Sequence, residues 1–390
     1  MDFALSEVQE VFKSTAQKFF KEKCTVSMLK EFEENNKGYS LSLYKEMADL
    51  GLLGLIIPEE YGGAGGNLMD LAIVIEEAGY ACLPAPFLST ISYGVLPLIN
   101  HGTEAQKRDL LPKIASGELI FTSALSEPQA HYDLKHITSF ADKSGGEYSL
   151  SGSKLFVPFA DSADYLLTLA RTIKSSDVSS EGLSLFLVKG NQSGVQTSQL
   201  PSIGSDRLFE VDLQEANVSA GDILGEVDNG WTITQKTLQM ATALQCIEMA
   251  GVLRRALEVT RDYVKERMQF GRTIGSFQSV QHRLADMYTM VEGGRLAAYQ
   301  AIWKFEKGVS AEREVSIAKT WLGMKGQDVL VGAHQLHGGV GLDMDYPLQF
   351  CFRRFKSMQL NLGPAPIHLK RIGQSLSKKS VADASLQFLK

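Results

Sequence analysis

The sequence predicts an α+β chain: a helical N-terminal domain, a middle antiparallel β domain and a C-terminal four-helix bundle, at residues 1–118, 119–229 and 230–390. Three observations predict it. Near the start, "SEVQEVFKSTAQKFFKEKC" places Val8, Val11, Phe12, Ala16 and Phe19 near helical spacing. From about Phe121 to Val227, short β-type runs are separated by Gly, Ser, Asn and Asp. Beyond them, long apolar patterns of helical period return in "GWTITQKTLQMATALQCIEMAGVLRRALEVTRDYVKERMQF", with no internal Pro and no internal Gly before Gly251. A length of 390 residues agrees with two or three domains.

Each element has its own signal. Ser6 is placed to cap the first helix, with Glu10 in its first turns. "SLYKEMADLGLLGL" predicts a second helix ending near Gly51, and "IPEEYGGAGGN" a loop, by its proline and glycines. "MDLAIVIEEAGYA" predicts a third helix. Thr103 caps a fourth, "TEAQKRDLLPKIASGE", with Pro112 near its end. The runs "EYSLSG", "DYLLTLART", "LSLFLVKG" and "LFEVDLQEANV" predict strands, and Ser-rich "TIKSSDVSSEG" a surface loop between two of them. "SVQHRLADMYTMVEGGRLAAYQAIWKFEK" and "SAEREVSIAKTWLGMKGQDVLVGAHQLHGG" complete the bundle, and no internal repeat is present.

Composition excludes some functions. Lys and Arg number 39 against 45 Asp and Glu, a near balance that argues against a nucleic-acid partner held by its phosphates. No run of about 18 apolar residues indicates a membrane span. The N-terminus "MDFALSEVQEVF" carries no early basic cluster, so it reads as neither a signal nor a transit peptide. Cys24, Cys82, Cys246 and Cys351 lie far apart without CxxC spacing, as buried thiols of a reducing compartment would. A cytoplasmic location is the expectation. His334 and His337 stand at i,i+3, but no third ligand pattern joins them, so no metal site is expected.

Four stretches carry the chemistry: "LGLLGLIIPEEYGGAGG", "GTEAQKRDLLPKIASGE" leading into "ALSEP", "ERMQFGRTIGSFQSVQHRLADM" and "HQLHGGVGLDMDYPL". In this order, and in an α–β–α context, they strongly resemble the acyl-CoA dehydrogenase family of flavoproteins, from about residue 3 to 375. The resemblance implies that FAD and an acyl-CoA thioester are held together.

A pyrophosphate needs a cation and closely approaching backbone N–H groups. Arg267 supplies the first, and Gly338, Gly339 and Gly341 allow the second. Phe270 offers an apolar face, and Gln278 and Gln335 can hydrogen-bond the adenosine side. The resemblance implies that Arg267, Phe270, Gln278 and the Gln335–Gly339 turn bind the ADP half of a FAD that sits mainly in a neighbouring subunit. The flavin half departs from the family. A "TEPGAGSD"-like loop here reads "SEPQAHYD", with Gln129 and His131 in place of glycines and Tyr132 in place of the serine. Leu125 and Ser126 can still meet the flavin ring. A family "W-x-T" segment here reads Phe156, Val157, Pro158: Phe156 can stack, but Pro158 has no hydroxyl and no N–H to offer.

The family removes the α-proton of an acyl-CoA with a carboxylate while a hydride leaves the β-carbon for the flavin. One position for that glutamate lies in a "Y-E-G-T" segment, here Asn361, Leu362, Gly363 and Pro364; the other aligns with Ala241, before Thr242. Neither is an acid, and Tyr346 to Ala382 contains no Asp or Glu at all. Glu248 lies seven residues after Ala241, on the same helix face and roughly 10 Å along it. It is a candidate base if buried with a raised pKa; a structural partner such as Arg254 or Arg255 is the plainer reading.

Two principal readings follow. In one, the chain is an FAD-dependent acyl-CoA dehydrogenase for a branched, cyclic or otherwise bulky thioester, a substrate class suggested by the likeness of "LPAP" at Leu83 to Pro86 to divergent members. In the other, it is a base-less subunit of a hetero-oligomer and completes a partner's FAD site. A family flavoprotein with elimination or reduction chemistry is a third. The resemblance further implies a homotetramer or a heterotetramer with a related subunit, and an electron-transferring flavoprotein as acceptor. "FRRFK" and the long C-terminal helices are expected to face another subunit.

Overall fold

The computed structural model describes residues 4–35, 38–130, 132–173, 179–204 and 206–387, with side chains described through residue 377. His131, residues 174–178 of the Ser-rich loop, and the side chains of Lys378 and Lys379 lie outside the described residues. The helices are α1 Glu7–Lys23, α2 Val26–Glu34, α3 Leu41–Asp49, α4 Leu68–Tyr80, α5 Phe87–Thr90, α6 Leu96–His101, α7 Glu104–Ala115, α8 Gly230–Glu266, α9 Gln278–Glu306, α10 Glu312–His337, α11 Pro347–Leu360 and α12 Ala365–Gln387. The strands are β1 Phe121–Ala124, β2 Phe140–Ser144, β3 Glu147–Pro158, β4 Tyr165–Arg171, β5 Leu183–Lys189, β6 Val195–Leu200, β7 Leu208–Ser219, β8 Ile223–Leu224, β9 Met268–Gln269 and β10 Arg272–Thr273. None of the helices among the described residues is long and apolar enough to cross a membrane.

The caps form as the sequence implies. Ser6 Oγ accepts the Gln9 N–H while the Gln9 side chain accepts the Ser6 N–H, and Thr103 with Gln106 repeats this reciprocal box on α7. Pro112 sits inside the last turn of α7.

Two compact units emerge, and they do not follow chain order. One comprises Met1–Lys30, Leu68–Leu83 and Thr242–Lys390; the other comprises Glu31–Asn67 and Pro84–Ala241. In the helical unit α4 crosses α8 with its backbone nearly touching. A Cβ on Gly79 would stand 2.2 Å from the Glu248 carbonyl oxygen, and one on Gly251 would stand 2.0 Å from that of Glu76, so only glycine fits at either crossing point. Buried Glu76 accepts from Arg295 Nε at 3.0 Å and from the Tyr299 hydroxyl at 2.7 Å, and pairs with Arg254 Nη1 at 3.0 Å. Glu77 takes the other arm of Arg254 at 2.7 Å and the Gln17 amide at 3.1 Å. Thus α1, α4, α8 and α9 share one buried polar network. Within "FRRFK", Arg354 and Phe355 are buried in this unit rather than turned outward, because α11 packs them against α8 and α10.

The β unit holds one sheet in the order β6-β7-β3-β2-β4-β5-β8, with β1 added beside β4. It is antiparallel for the most part, but β1 runs parallel to β4, from Phe121 opposite Tyr165 to Ala124 opposite Thr168. The parallel pairing is possible because a long connection, residues 125–164 carrying β2 and β3, and not a hairpin, joins β1 to β4. The stretch from α5 to α6, through a π turn at Ile91–Val95, seats β1: Thr90 Oγ1 accepts the Phe121 N–H at 3.2 Å and the Tyr44 hydroxyl at 3.1 Å. The Gln106 amide of α7 donates to the carbonyls of Gly221 and Ile223 at 2.8 and 2.9 Å.

Candidate functional site

Three stretches singled out by the sequence each contain a non-glycine residue held in left-handed backbone: Phe156 at φ 58°, Phe270 at φ 54° and Leu362 at φ 57°. Such conformations are costly and persist where the surroundings over-determine them.

The first stretch lies in the helical unit. The α8 helix stops at Glu266, and β9 and β10 form a tight hairpin around Phe270 and Gly271, both at positive φ as a two-residue hairpin turn requires. The turn presents Phe270 at 91% exposure, edge-on to Phe277 with centroids 6.2 Å apart. Arg267 is exposed, and its guanidinium has no hydrogen bond or ion pair among the described residues. Gln278 opens α9 and is exposed, as is Gln335 near the end of α10. Beyond α10 come Gly338 at φ 62° and Gly339, with no atom within 4 Å of where a Cβ would stand on either. Tyr263 joins these pieces. Its ring stacks on His337 at 4.3 Å, its hydroxyl donates to the His337 carbonyl at 3.3 Å, and its own carbonyl accepts the Arg267 N–H at 2.8 Å. His337 is locked by Ala333 O at 2.8 Å and the Tyr346 hydroxyl at 3.2 Å, and burial holds its pKa below the usual range. A free guanidinium, an open glycine turn and an exposed ring therefore share one end of the helical unit. They fit the diphosphate and adenosine of a dinucleotide.

The second stretch lies in the β unit. Leu125 is buried and Ser126 half-buried, and the Ser126 carbonyl accepts the Leu155 N–H at 2.9 Å. That bond draws Leu155 off the β3–β7 ladder, whose register shifts between Lys154 and Val157. Phe156 is thrown outward by the bulge to 61% exposure. The Pro158 carbonyl accepts the Thr122 hydroxyl at 2.6 Å. Gln129, which replaces a family glycine, donates to Glu127 at 3.1 Å. Ser126, Leu155 and Phe156 thus stand side by side, and an exposed ring beside fixed backbone groups fits a planar heterocycle.

The third stretch is "NLGPAPIHL". Asn361 ends α11, Leu362 and Gly363 take positive φ, and buried His368 reaches back so that its Nε2–H donates to the Leu362 carbonyl at 3.1 Å. His368 Nδ1 lies 3.4 Å from Ser316 Oγ, and burial pushes its pKa down to about 4, so it is neutral. Fully buried Lys319 donates to Gln245 Oε1 at 2.7 Å and to the Met358 carbonyl, and burial brings it down to about 8. A lysine at the carboxyl end of α11 is favoured by that helix's dipole. Sequence reasoning missed Lys319; its place in the amphipathic run "VSIAKTW" was the available signal.

Glu248 is buried and ion-paired. Arg354 donates to its Oε1 from Nε at 3.2 Å and from Nη2 as well. The partner is neither Arg254 nor Arg255: Arg254 is taken by Glu76 and Glu77, and Arg255 donates to the Tyr80 carbonyl at 3.2 Å. Ala241 is a buried apolar position on the same helix. No cluster of three or more His, Cys, Asp or Glu able to hold a metal exists among the described residues.

The chain matches the families described as acyl-CoA dehydrogenase N-terminal domain over residues 6–118, middle domain over 122–218 and C-terminal domain over 228–377. A Bacillus subtilis protein named acyl-CoA dehydrogenase is 31% identical, over 85% of this chain and 89% of its own. The solved structure described as the Tcur3481-Tcur3483 steroid ACAD superposes with a TM-score of 0.86 at 32% identity, over 96% of this chain and 99% of the other. The ChsE4-ChsE5 complex from Mycobacterium tuberculosis gives a TM-score of 0.88 at 28% identity, over 97% and 99%. Taken with the three-part helix, sheet and helix architecture, these matches place the chain in the acyl-CoA dehydrogenase family of flavoprotein oxidoreductases.

Proposed function

We propose that the chain is the base-less, FAD-holding subunit of an acyl-CoA dehydrogenase assembly, which desaturates a bulky acyl-CoA together with a related subunit. The carrying observation is the loop at Leu362. Its backbone is held in a strained left-handed turn by His368, yet it offers an alkyl side chain where proton abstraction needs a carboxylate. The one buried acid in the neighbouring stretch of α8, Glu248, is occupied by Arg354.

FAD, when bound, would supply the acceptor for the hydride of the β-carbon. Arg267 would neutralise pyrophosphate charge, the Gly338–Gly339 turn would let backbone N–H groups approach it, and Phe270, Gln278 and Gln335 would hold the adenosine. Leu125, Ser126 and Phe156 would hold the ring, with Pro158 contributing shape alone. Names of similar proteins support both the partner and the bulk of the substrate: one is described as a steroid ACAD and one as a complex of two differently named chains. An electron-transferring flavoprotein is the acceptor this reading implies.

The test is to purify the chain alone and co-expressed with a related acid-bearing subunit, and then to measure bound flavin and dye-linked dehydrogenation of straight-chain, branched and steroid side-chain CoA esters. The co-expressed assembly should hold FAD and turn over the bulky esters, and the chain alone should be weak or inactive. Brisk turnover by the chain alone would contradict the proposal.

A further inference from the structure

The β unit contains a fully buried ion pair that no step above uses. Lys154 Nζ lies 2.7 Å from Glu127 Oε1 and donates to the Leu169 carbonyl at 2.6 Å, and the two side chains are 0% and 1% exposed. Glu127 also accepts the N–H groups of Thr138 at 2.7 Å and Ser139 at 3.1 Å, the Thr138 hydroxyl at 3.1 Å and the Gln129 amide at 3.1 Å. Burial acts to raise the Glu127 pKa, but Lys154 and these donors outweigh it and hold the carboxyl below its usual range. A well-packed apolar pair would often serve stability as well or better, so a buried charge pair calls for a reason beyond stability.

Its position supplies one. Glu127 directly follows Ser126, and Lys154 precedes Leu155 and Phe156. The Leu155 N–H to Ser126 carbonyl bond, the register shift in β3 and the left-handed Phe156 all begin at the residue after the ion pair. We infer that the buried Glu127–Lys154 pair is the positioning device of the flavin-ring platform: it pins the Leu125–Ser126 segment to the bulge of β3 and so fixes the spacing between the Ser126 backbone and the outward Phe156 ring. The inference rests on the FAD reading proposed above. Neither residue touches the flavin; both act through Ser126 and Phe156.

The test uses the full chain in the oligomer it forms, stripped of flavin and titrated separately with FAD and with ADP. The variants are Glu127→Gln, Lys154→Met and the double apolar change Glu127→Leu with Lys154→Met. The pair should govern the ring half alone. FAD affinity should therefore fall ten- to a hundred-fold, ADP affinity should stay within twofold, and the bound flavin should become brighter and more open to iodide quenching. Variants of native circular dichroism that keep wild-type FAD affinity and shielding would overturn the inference. So would equal losses for FAD and ADP, the mark of a merely structural role. Should Lys154→Met fail to fold, Glu127→Gln and the charge-retaining Lys154→Arg read the same quantities, with Lys154→Arg expected to recover most of the ring shielding. A wild-type chain that binds no FAD would instead overturn the FAD reading itself.

Discussion

Arg354 holds the Glu248 carboxylate inside the helical unit, with side chains only 7% and 6% exposed. A base must face its substrate, and Glu248 is buried, with its Oε1 held by two guanidinium nitrogens of Arg354. Its role is to join α8 to α11. Glu248→Gln should therefore lower unfolding stability by about 3–5 kcal/mol, the usual cost of orphaning one member of a buried pair. Turnover per folded molecule of the assembly should be nearly unchanged. Urea denaturation and active-site-normalised kinetics check both halves. A loss of activity of a hundred-fold or more with intact stability would restore Glu248 as the base.

Arg267 should govern flavin retention. Removing an exposed guanidinium from a phosphate costs about 1.5–3 kcal/mol, so Arg267→Ala should weaken FAD binding about ten- to a hundred-fold with the melting behaviour of the apoprotein unchanged. The flavin-to-protein absorbance ratio after gel filtration measures it. Full occupancy in the variant would remove Arg267 from the site.

His368 should give stability a pH dependence. Its folded pKa of about 4 lies below the ordinary 6.5, so the unfolded chain takes up the proton first. Its contribution is present above pH 6.5 and is lost as pH falls toward 4, a swing on the order of 3 kcal/mol. Denaturation midpoints across that window should decline in the wild type and flatten in His368→Gln. A flat wild-type profile would contradict the neutral, loop-bracing role.

The chain should not be a monomer. Tyr288, Trp321, Met324 and Val331 are large exposed apolar residues on α9 and α10, and the FAD half-sites are expected to meet across subunits. Light scattering at micromolar concentration should give a mass above that of one chain. A monomeric mass would contradict the shared-FAD arrangement.

Much of this was legible in the sequence because period and punctuation carry it. The change from helical spacing to alternating strands and back marked the three regions, and Ser6 and Thr103 announced their helices. The segment from Phe87 to His101 was not legible: Pro84, Pro86 and Pro97 read as breakers, and burial on nearly every side erases the amphipathic signal. β6 was hidden by its polar sequence, "VQTSQL", on an exposed edge. The residues proposed for the ADP half were readable as motifs. The partners of Glu248 and Lys154 were not, since Arg354 is 106 residues from the first and Glu127 is 27 from the second, and only folding brings them together. The strained turns at Phe156, Phe270 and Leu362 were equally silent, because non-glycine residues give no local sign of positive φ.

Anaerobic mixing of the FAD-loaded chain alone with butyryl-, octanoyl- and steroid side-chain CoA esters, following the visible flavin band, tests whether this chain holds FAD on a scaffold lacking the α-proton base. Loss of a general base slows such a step on the order of a hundred- to ten-thousand-fold. The flavin band should stay oxidised over the time in which an acid-bearing relative bleaches fully. Rapid bleaching by the wild-type chain, undiminished in Glu248→Gln, would contradict the base-less reading and show that another group takes the proton.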